Sequence, residues 1–580
     1  MEHREELDHI QREFREIKGT TVIIYDQTCA TEKRRRRKRG TLVDPAVRVV
    51  INELVCEGCG DCGVQSNCIS VEPLETDFGR KRQINQSTCN KDVSCVKGFC
   101  PSFVTVEGGS LRKKKAPALA SSGQMEDIPE PQIADLATAH DGVWGLVVAG
   151  VGGTGVITIG QLLGVAAHME GKGIVTQDAG GLAQKGGATW SHVLIGQTQD
   201  AIRTTRVGMA CADLVIGCDP IVTAGKETSM RLRAGRSHVV INSHSAPTAA
   251  FVKNANWANP GQDCIAQIAD TLQDPAALGC VDAEGIASQL LGDSIFTNPV
   301  MLGFAWQKGW IPLEQASLLR AMELNAVAVE KNKAAFQWGR RAAHDASAVA
   351  RALQPGQTVQ LVRKQPEGAA ALDAFVQQRA AFLTDYQNAA YARSYTDFVA
   401  QVRQAELAAL GADTHALPLS FAVARYLFKL MAYKDEYEVA RLHSDPAFGK
   451  KIGAMFEGDY QVHYHLAPPL LAKTNDKGEL QKQKFGPAMA WGFKLLAPLK
   501  VLRGTALDPF GRSEERRQER ALIASYQATL RSFVSQLGAS NAADALAFAK
   551  LPEQIRGFGH VKARHIAAVR GQWVALGGQL

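Results

Sequence analysis

Cys56-Glu57-Gly58-Cys59-Gly60-Asp61-Cys62 opens a stretch in which Cys68 follows after five residues, and Cys89, Cys95 and Cys100-Pro101 come next. Three cysteines at Cys-x-x-Cys-x-x-Cys spacing wrap one corner of a cube, and the cysteine before a distant proline supplies the fourth thiolate of a [4Fe–4S] cluster. The rule assigns Cys56, Cys59, Cys62 and Cys100 to one cluster. Gly58, Gly60 and Gly63 let the backbone fold close to the sulfurs and turn N–H groups toward them.

The pattern is that of a bacterial-type ferredoxin module, whose second half is less regular here. Cys68, Cys89 and Cys95 give three further thiolates, and the gap from Cys89 to Cys95 lacks the middle cysteine of the usual run. One cluster is expected and a second is open. Its fourth ligand could come from Cys29, or the site could hold a three-iron or site-differentiated cluster. A disulfide module would need an oxidising compartment, for which the chain gives no sign. Zinc prefers paired Cys-x-x-Cys knuckles and would leave the third cysteine of the run idle.

Working outward, the 580 residues predict about three or four domains, and 46% apolar residues are enough to bury them. No secretory leader pattern and no membrane-length apolar run is present, so no membrane partner is expected. Of twelve cysteines, eight lie before residue 101, which together with the missing leader suits a reducing, cytoplasmic setting. The net charge of +7 equals the contribution of Lys33-Arg34-Arg35-Arg36-Arg37-Lys38-Arg39 alone. One local basic patch, rather than a basic protein, suits an acidic redox partner or a subunit contact better than nucleic acid.

Residues 1–45 predict a helix from Glu5 to Ile17 and a lone strand, Thr21–Tyr25, which needs a sheet from elsewhere. The iron–sulfur module spans 46–108, with short strands at Val47–Val50, Ile69–Val71 and Phe103–Val106, and 109–140 reads as a linker. Over 141–345, buried strands alternate with helices and predict a doubly wound parallel sheet. Residues 346–394 are a helical connector and 395–580 a helical domain, so the expected fold class is α/β and α.

Gly150-Val-Gly152-Gly153-Thr-Gly155 follows a strand and opens a helix, and Asp178 lies 23 positions past Gly155. That is the geometry of a nucleotide diphosphate site, the alternative being glycines that serve helix–strand packing. Gly180-Gly181-Leu-Ala-Gln-Lys185-Gly186-Gly187 gathers four glycines around a lysine and suits an anion or an interface. Cys218-Asp219-Pro220 and Asn242-Ser243-His244 end two further strands, where ligands of such sheets collect. His463-Tyr-His465 reads as a satisfied pair, and Gln554–Lys562 as a packing turn despite its likeness to DNA-contacting glycine hairpins.

Taken together, the cysteine run, Gly-Val-Gly-Gly-Thr-Gly and Gly-Leu-Ala-Gln-Lys-Gly-Gly resemble the indolepyruvate ferredoxin oxidoreductases, especially their long fused forms. The resemblance casts 1–45 as the tail of a thiamine-binding domain, 141–345 as the gamma domain and 395–580 as the extension of the fused forms. The family's Gly-Asp-Gly thiamine diphosphate motif is absent, so the chain looks like a C-terminal half, either a split-gene subunit or a truncated product, with thiamine diphosphate and Mg2+ on a thiamine-binding subunit or in the missing N-terminal half. The resemblance implies oxidative decarboxylation of an aryl 2-oxoacid to acyl-coenzyme A. Electrons would pass singly through the clusters to a ferredoxin or similar acceptor. It gives the Gly150–Gly155 loop to coenzyme A's diphosphate or to a contact with the partner domain, where the bare motif favours NAD, with Asp178 and Lys185 as further cofactor-binding candidates. The competing readings are a nucleic-acid-binding iron–sulfur protein and an independent NAD-linked oxidoreductase.

Overall fold

The computed structural model describes residues 1–3, 6–112, 128–139, 142–180, 187–353, 369–410, 416–468, 472–474 and 478–579. The chain divides into two compact units, Met1–Pro45 and Ala46–Leu580. In the first unit, helices Leu7–Glu16 and Ala30–Lys38 flank an extended segment. The strand expected at Thr21–Tyr25 does not form, because no ladder partner exists among the unit's described residues; Val22 and Ile24 are exposed. Most of the basic run lies on helix Ala30–Lys38, where Glu32 pairs with Arg36 at 3.1 Å.

In the second unit the cysteine segment folds as β1 (Val47–Ile51), helix Asp61–Ser66, β2 (Val71–Thr76), β3 (Gly79–Ile84), a 3-10 turn Ser94–Lys97 and β4 (Phe103–Leu111). β1 runs antiparallel to β4, and β2 to β3. The strand expected at Ile69–Val71 therefore starts only at Val71. β3 was not foreseen because its Arg80-Lys81-Arg82 run reads as solvated, yet Lys81 and Arg82 point inward and are buried. Gly98 brings the second turn against the first: a Cβ there would lie 2.7 Å from the Cys62 Cα and 2.8 Å from its nitrogen.

The α/β domain contains β5 (Val143–Val151), β6 (Gly173–Gly180), β7 (Ala188–Gly196), β8 (Leu214–Gly217), β9 (His238–Asn242) and β10 (Leu278–Val281), in the order β10-β9-β8-β5-β7-β6. β10, β9, β8 and β5 are parallel as expected. β7 corrects the all-parallel expectation, since it runs antiparallel to both β5 and β6. The connection from β6 to β7 is too short for a crossover helix, so the chain must reverse. Leu146, Val148, Ile216 and Val240 face helices Val156–Met169 and Thr297–Gln307, while Val147, Val215 and Val239 face Ile268 and Leu272 on the other side.

Helices Ala369–Tyr386, Ala389–Leu410, Pro418–Met431, Glu514–Ser535 and Gly559–Ala575 share a core around Leu383, Tyr395, Leu427, Tyr526 and Trp573. The region 395–580 is not wholly helical, however. It supplies β11 (Phe456–Leu466), which pairs with β4 from Phe456↔Leu111 to Tyr464↔Val104, and β12 (Gln483–Phe485), which pairs with β11. β4 accordingly runs on through Leu111, into the stretch read as linker. Among the described residues no helix is long and apolar enough to cross a membrane.

The same seam holds His443, stacked on Phe493 with ring centres 5.2 Å apart. Its Nε2–H donates to the Pro101 carbonyl (2.8 Å), and Asn52 Nδ2 lies 3.4 Å from its Nδ1. Burial pushes its pKa from 6.5 down to about 4, although the Pro101 contact opposes the shift. The unfolded chain takes up this proton first, so the contribution to stability is complete above pH 6.5 and is lost as the pH falls to about 4. The loss amounts to roughly 3 kcal/mol at most. Thermal unfolding between pH 7 and 4 should therefore show a shallower acid slope in His443→Gln than in the unsubstituted protein. Gly98→Ala should lower the unfolding midpoint by several degrees, from about 1–3 kcal/mol of overpacking. Gly63→Ala, whose Cβ would meet nothing nearer than 3.9 Å, should leave the midpoint unchanged.

Candidate metal centre

Two turns and two strand ends bring the cysteines together as two groups. In the first turn, Gly58 and Gly60 take φ of +65° and +83°, conformations that other residues enter at a cost, and the Gly58 N–H donates to Cys56 Sγ at 3.3 Å. A Cβ at Gly58 would strike the Arg80 carbonyl. Cys62 sits on helix Asp61–Ser66, and Cys100 enters β4 with its sulfur 2.9 Å from Ser102 Oγ. Cys56, Cys62, Cys95 and Cys100 are buried, while Cys59, Cys68 and Cys89 are partly so.

The thiols feel one another within each group, and Cys95 also reaches Cys62 across them. Burial first, then Cys100, Cys62 and Cys56, push the Cys59 thiol up. Cys100 rises to about 11 through burial and Cys56. In the other group, burial and then Cys68 and Cys89 raise Cys95. Among the described residues no three His, Cys, Asp or Glu side chains converge as on a single ion. A four-iron cluster stands between its thiolates, each bonded to a different iron, and so calls for a wider spacing.

Cations surround the first group. Arg82, 2% exposed, lies over Phe251 at 4.3 Å, donates to the Ala255 carbonyl and faces Cys62, Cys56 and Cys59. Lys81 donates to the Cys56 carbonyl (2.8 Å), and burial lowers its pKa to about 8. Lys482 donates to the carbonyls of Gly98 (2.6 Å) and Cys100 (3.0 Å), and burial takes it to about 8 as well. Glu57 faces Lys81 and Asp61 faces Lys482 without closing to an ion pair, and Arg82 has no carboxylate facing it among the described residues. Buried cations without counter-ions are costly. Four thiolates on an iron–sulfur core carry a net negative charge and would balance them, so the donor set fits a cluster.

Beside this group lies a cavity lined by Glu57, Lys429, Lys434, Glu519, Phe558 and Lys562. Burial alone would raise the Glu57 carboxyl, but Lys434, Lys81, Lys429 and Lys562 outweigh it and hold the pKa at about 2. The Gly557–Gly559 turn closes over the module: a Cβ on Gly557 would lie 3.4 Å from Cys59 Cβ, and one on Gly559 2.6 Å from the Phe99 ring. A turn engaged in this way is packing, as expected, and is not free to lie along a phosphate backbone. His463 and His465 stand on β11, near Glu107 and Thr105 respectively.

The glycine loop gives a mixed result. A Cβ on Gly150 would come within 2.8 Å of Val156 and 2.9 Å of Cys218, so this glycine serves packing. The Gly152 N–H donates to the Gly187 carbonyl, and Asn298 Nδ2 holds the Thr154 carbonyl. Gly153 and Gly155, with φ of +81° and +99°, shape the turn at the start of helix Val156–Met169. Asp178 is exposed on the edge strand β6, and β7 separates it from β5, which corrects its expected place beside the loop. Lys185 lies outside the described residues. Asp219 caps the helix starting at Pro220 and accepts from Ala246, and Asn242 ties β9 to Cys218 and Ala283. Sequence reasoning missed Arg82, Lys81 and Lys482; Lys482 enters from a segment remote in sequence and carried no local signal.

Residues 145–342 match the family described as pyruvate ferredoxin/flavodoxin oxidoreductase, and residues 372–575 match a family of unknown function, DUF6537. The indolepyruvate oxidoreductase subunit IorB of Methanothermobacter thermautotrophicus is 28% identical over 199 residues, covering 34% of this chain and 95% of that subunit. IorB of Pyrococcus horikoshii is 28% identical over 205 residues, covering 35% and 96%. Among solved structures, the keto/oxoacid ferredoxin oxidoreductase gamma subunit of Geobacter sulfurreducens is 22% identical with a TM-score of 0.25, covering 35% of this chain and 98% of that one. Residues 145–342 thus match the pyruvate ferredoxin/flavodoxin oxidoreductase family and are similar to IorB, in agreement with the resemblance read from the glycine motifs of the α/β domain.

Proposed function

We propose that the chain is the electron-transfer and acyl-acceptor part of an indolepyruvate, or other aryl pyruvate, ferredoxin oxidoreductase. The observation that carries this reading is the gathering of Cys56, Cys59, Cys62 and Cys100 beneath Arg82, Lys81 and Lys482, of which the buried Arg82 faces no carboxylate among the described residues. The overall reaction takes a 2-oxoacid, coenzyme A and two oxidised one-electron acceptors to acyl-coenzyme A, CO2, a proton and two reduced acceptors. An iron–sulfur cluster, when bound, accepts and releases one electron at a time.

The chain's own residues set the conditions for that transfer. Cys56, Cys59, Cys62 and Cys100 would hold the cluster. Arg82 and Lys482 favour the more negative, reduced state, and the Gly58 N–H softens the charge on Cys56. The Gly557 turn keeps water from the Cys59 corner. For coenzyme A, the loop from Gly150 to Gly155 lies at the N-terminus of helix Val156–Met169, where N–H groups favour a diphosphate; Lys185 belongs to the same proposal. Thiamine diphosphate and Mg2+ would lie on a thiamine-binding partner or in a missing N-terminal half, since these residues hold no Gly-Asp-Gly motif.

Anaerobic reconstitution of the full chain should give a brown protein with at least about four irons. It should turn over indolepyruvate and coenzyme A only with a thiamine-binding partner present. Arg82→Gln and Lys482→Gln should each lower the cluster's reduction potential, by roughly 60 mV, a tenfold change in the one-electron equilibrium. Less than about one iron per chain, or zinc alone, would overturn the proposal.

A further inference from the structure

The second turn, Cys89-Asn90-Lys91-Asp92-Val93-Ser94-Cys95, repeats the first position by position. The third residue is left-handed in both, Gly58 at φ +65° and Lys91 at +56°. So is the fifth, Gly60 at +83° and Val93 at +61°. The third N–H donates to the first sulfur in both, Gly58 to Cys56 at 3.3 Å and Lys91 to Cys89 at 3.4 Å. A helical turn then carries Cys62 in one case and Cys95 in the other. Where the first turn has Cys59, the second has Asp92.

A β-branched residue in the left-handed region is a real outlier, so the Val93 turn is held against its local preference. Such strain persists where the surroundings impose a geometry, and here that geometry is the one in which the first turn presents Cys59. Asp92 Oδ1 accepts from the Ser94 N–H (3.2 Å) and hydroxyl (2.9 Å). Among the described residues Oδ2 has no donor. The negative charge of Asp92 reaches both Cys89 and Cys95, whose thiolates it disfavours.

We propose that Cys68, Cys89, Cys95 and Asp92 hold a second, site-differentiated four-iron cluster in which the Asp92 carboxylate binds the fourth iron. This rests on the reading that the cysteine groups carry clusters. It takes the fourth ligand from the turn itself and leaves Cys29 without that role. A hard oxygen ligand holds cluster iron less firmly than a thiolate does. Asp92 is exposed, whereas its counterpart Cys59 sits under the Gly557 turn. The iron at Asp92 is thus the one that leaves on oxidation: [4Fe–4S]2+ gives [3Fe–4S]+, Fe2+ and one electron, with ferricyanide as the oxidant.

The test compares the full chain with Asp92→Cys and Asp92→Ala after anaerobic reconstitution, reading iron content and EPR. The unsubstituted chain should bind about eight irons and, with ferricyanide, lose one iron and develop the EPR signal of an oxidised three-iron cluster. Asp92→Cys should bind as much iron and give no such signal under the same treatment. Asp92→Ala should hold about seven irons and show the three-iron signal once oxidised. If Asp92→Cys converts as readily as the unsubstituted chain, or if that chain binds only about four irons, the proposal fails while the first cluster stands. Iron below about one per chain in all three would sink both readings together. Should Asp92→Ala fail to fold, the ferricyanide titration of the unsubstituted chain decides, and a missing three-iron signal overturns the proposal.

Discussion

The structure turns on positive charge held next to sulfur where water is scarce. Arg82, Lys81 and Lys482 arrive from two widely separated parts of the chain and end around the same thiols. Cations at this depth repel one another and forgo hydration, and Glu57 and Asp61 answer them only in part. The surrounding contacts are therefore arranged to keep them in place: Arg82 is clamped by the Ala255 carbonyl and the Phe251 ring, and Lys482 by the Gly98 and Cys100 carbonyls and the Phe103 ring. Each clamp also ties one region of the second unit to another.

That dependence explains why the cysteine segment is not a detachable module. Helix Ala249–Lys253 and the residues after it cover Gly60 and receive Arg80 and Arg82, so the α/β domain forms one wall of the site. The helical region forms the opposite wall through Lys434, Gly557 and Lys482. The region that matches a family of unknown function thus takes part in building the cysteine site.

Legibility followed distance along the chain. The cysteine groups were readable because ligand spacing is a local property, and Gly150–Gly155 because a strand, a turn and a helix follow one another without interruption. The glycine motif misled over Asp178, since spacing alone cannot reveal that β7 is inserted between β5 and β6. β3 escaped notice because Lys81 and Arg82 are charged, and a charged strand reads as surface until the buried partner is known. β11 escaped for another reason: its polar alternation makes sense only beside β4, and no sequence period announces a partner so remote. Thr21–Tyr25 shows the converse, an apolar run with good strand propensity that finds no ladder partner among the described residues of its unit.

The pairing of β4 with β11 has a consequence for biogenesis. As the chain leaves the ribosome, β4 has β1 on one side, but its other edge stays bare until Phe456–Leu466 has been made. A long-lived open edge invites association with other nascent chains. Synthesis must therefore have passed Leu466 before this sheet can close, and loading of metal on a chain stalled or nicked before it would meet a half-built wall.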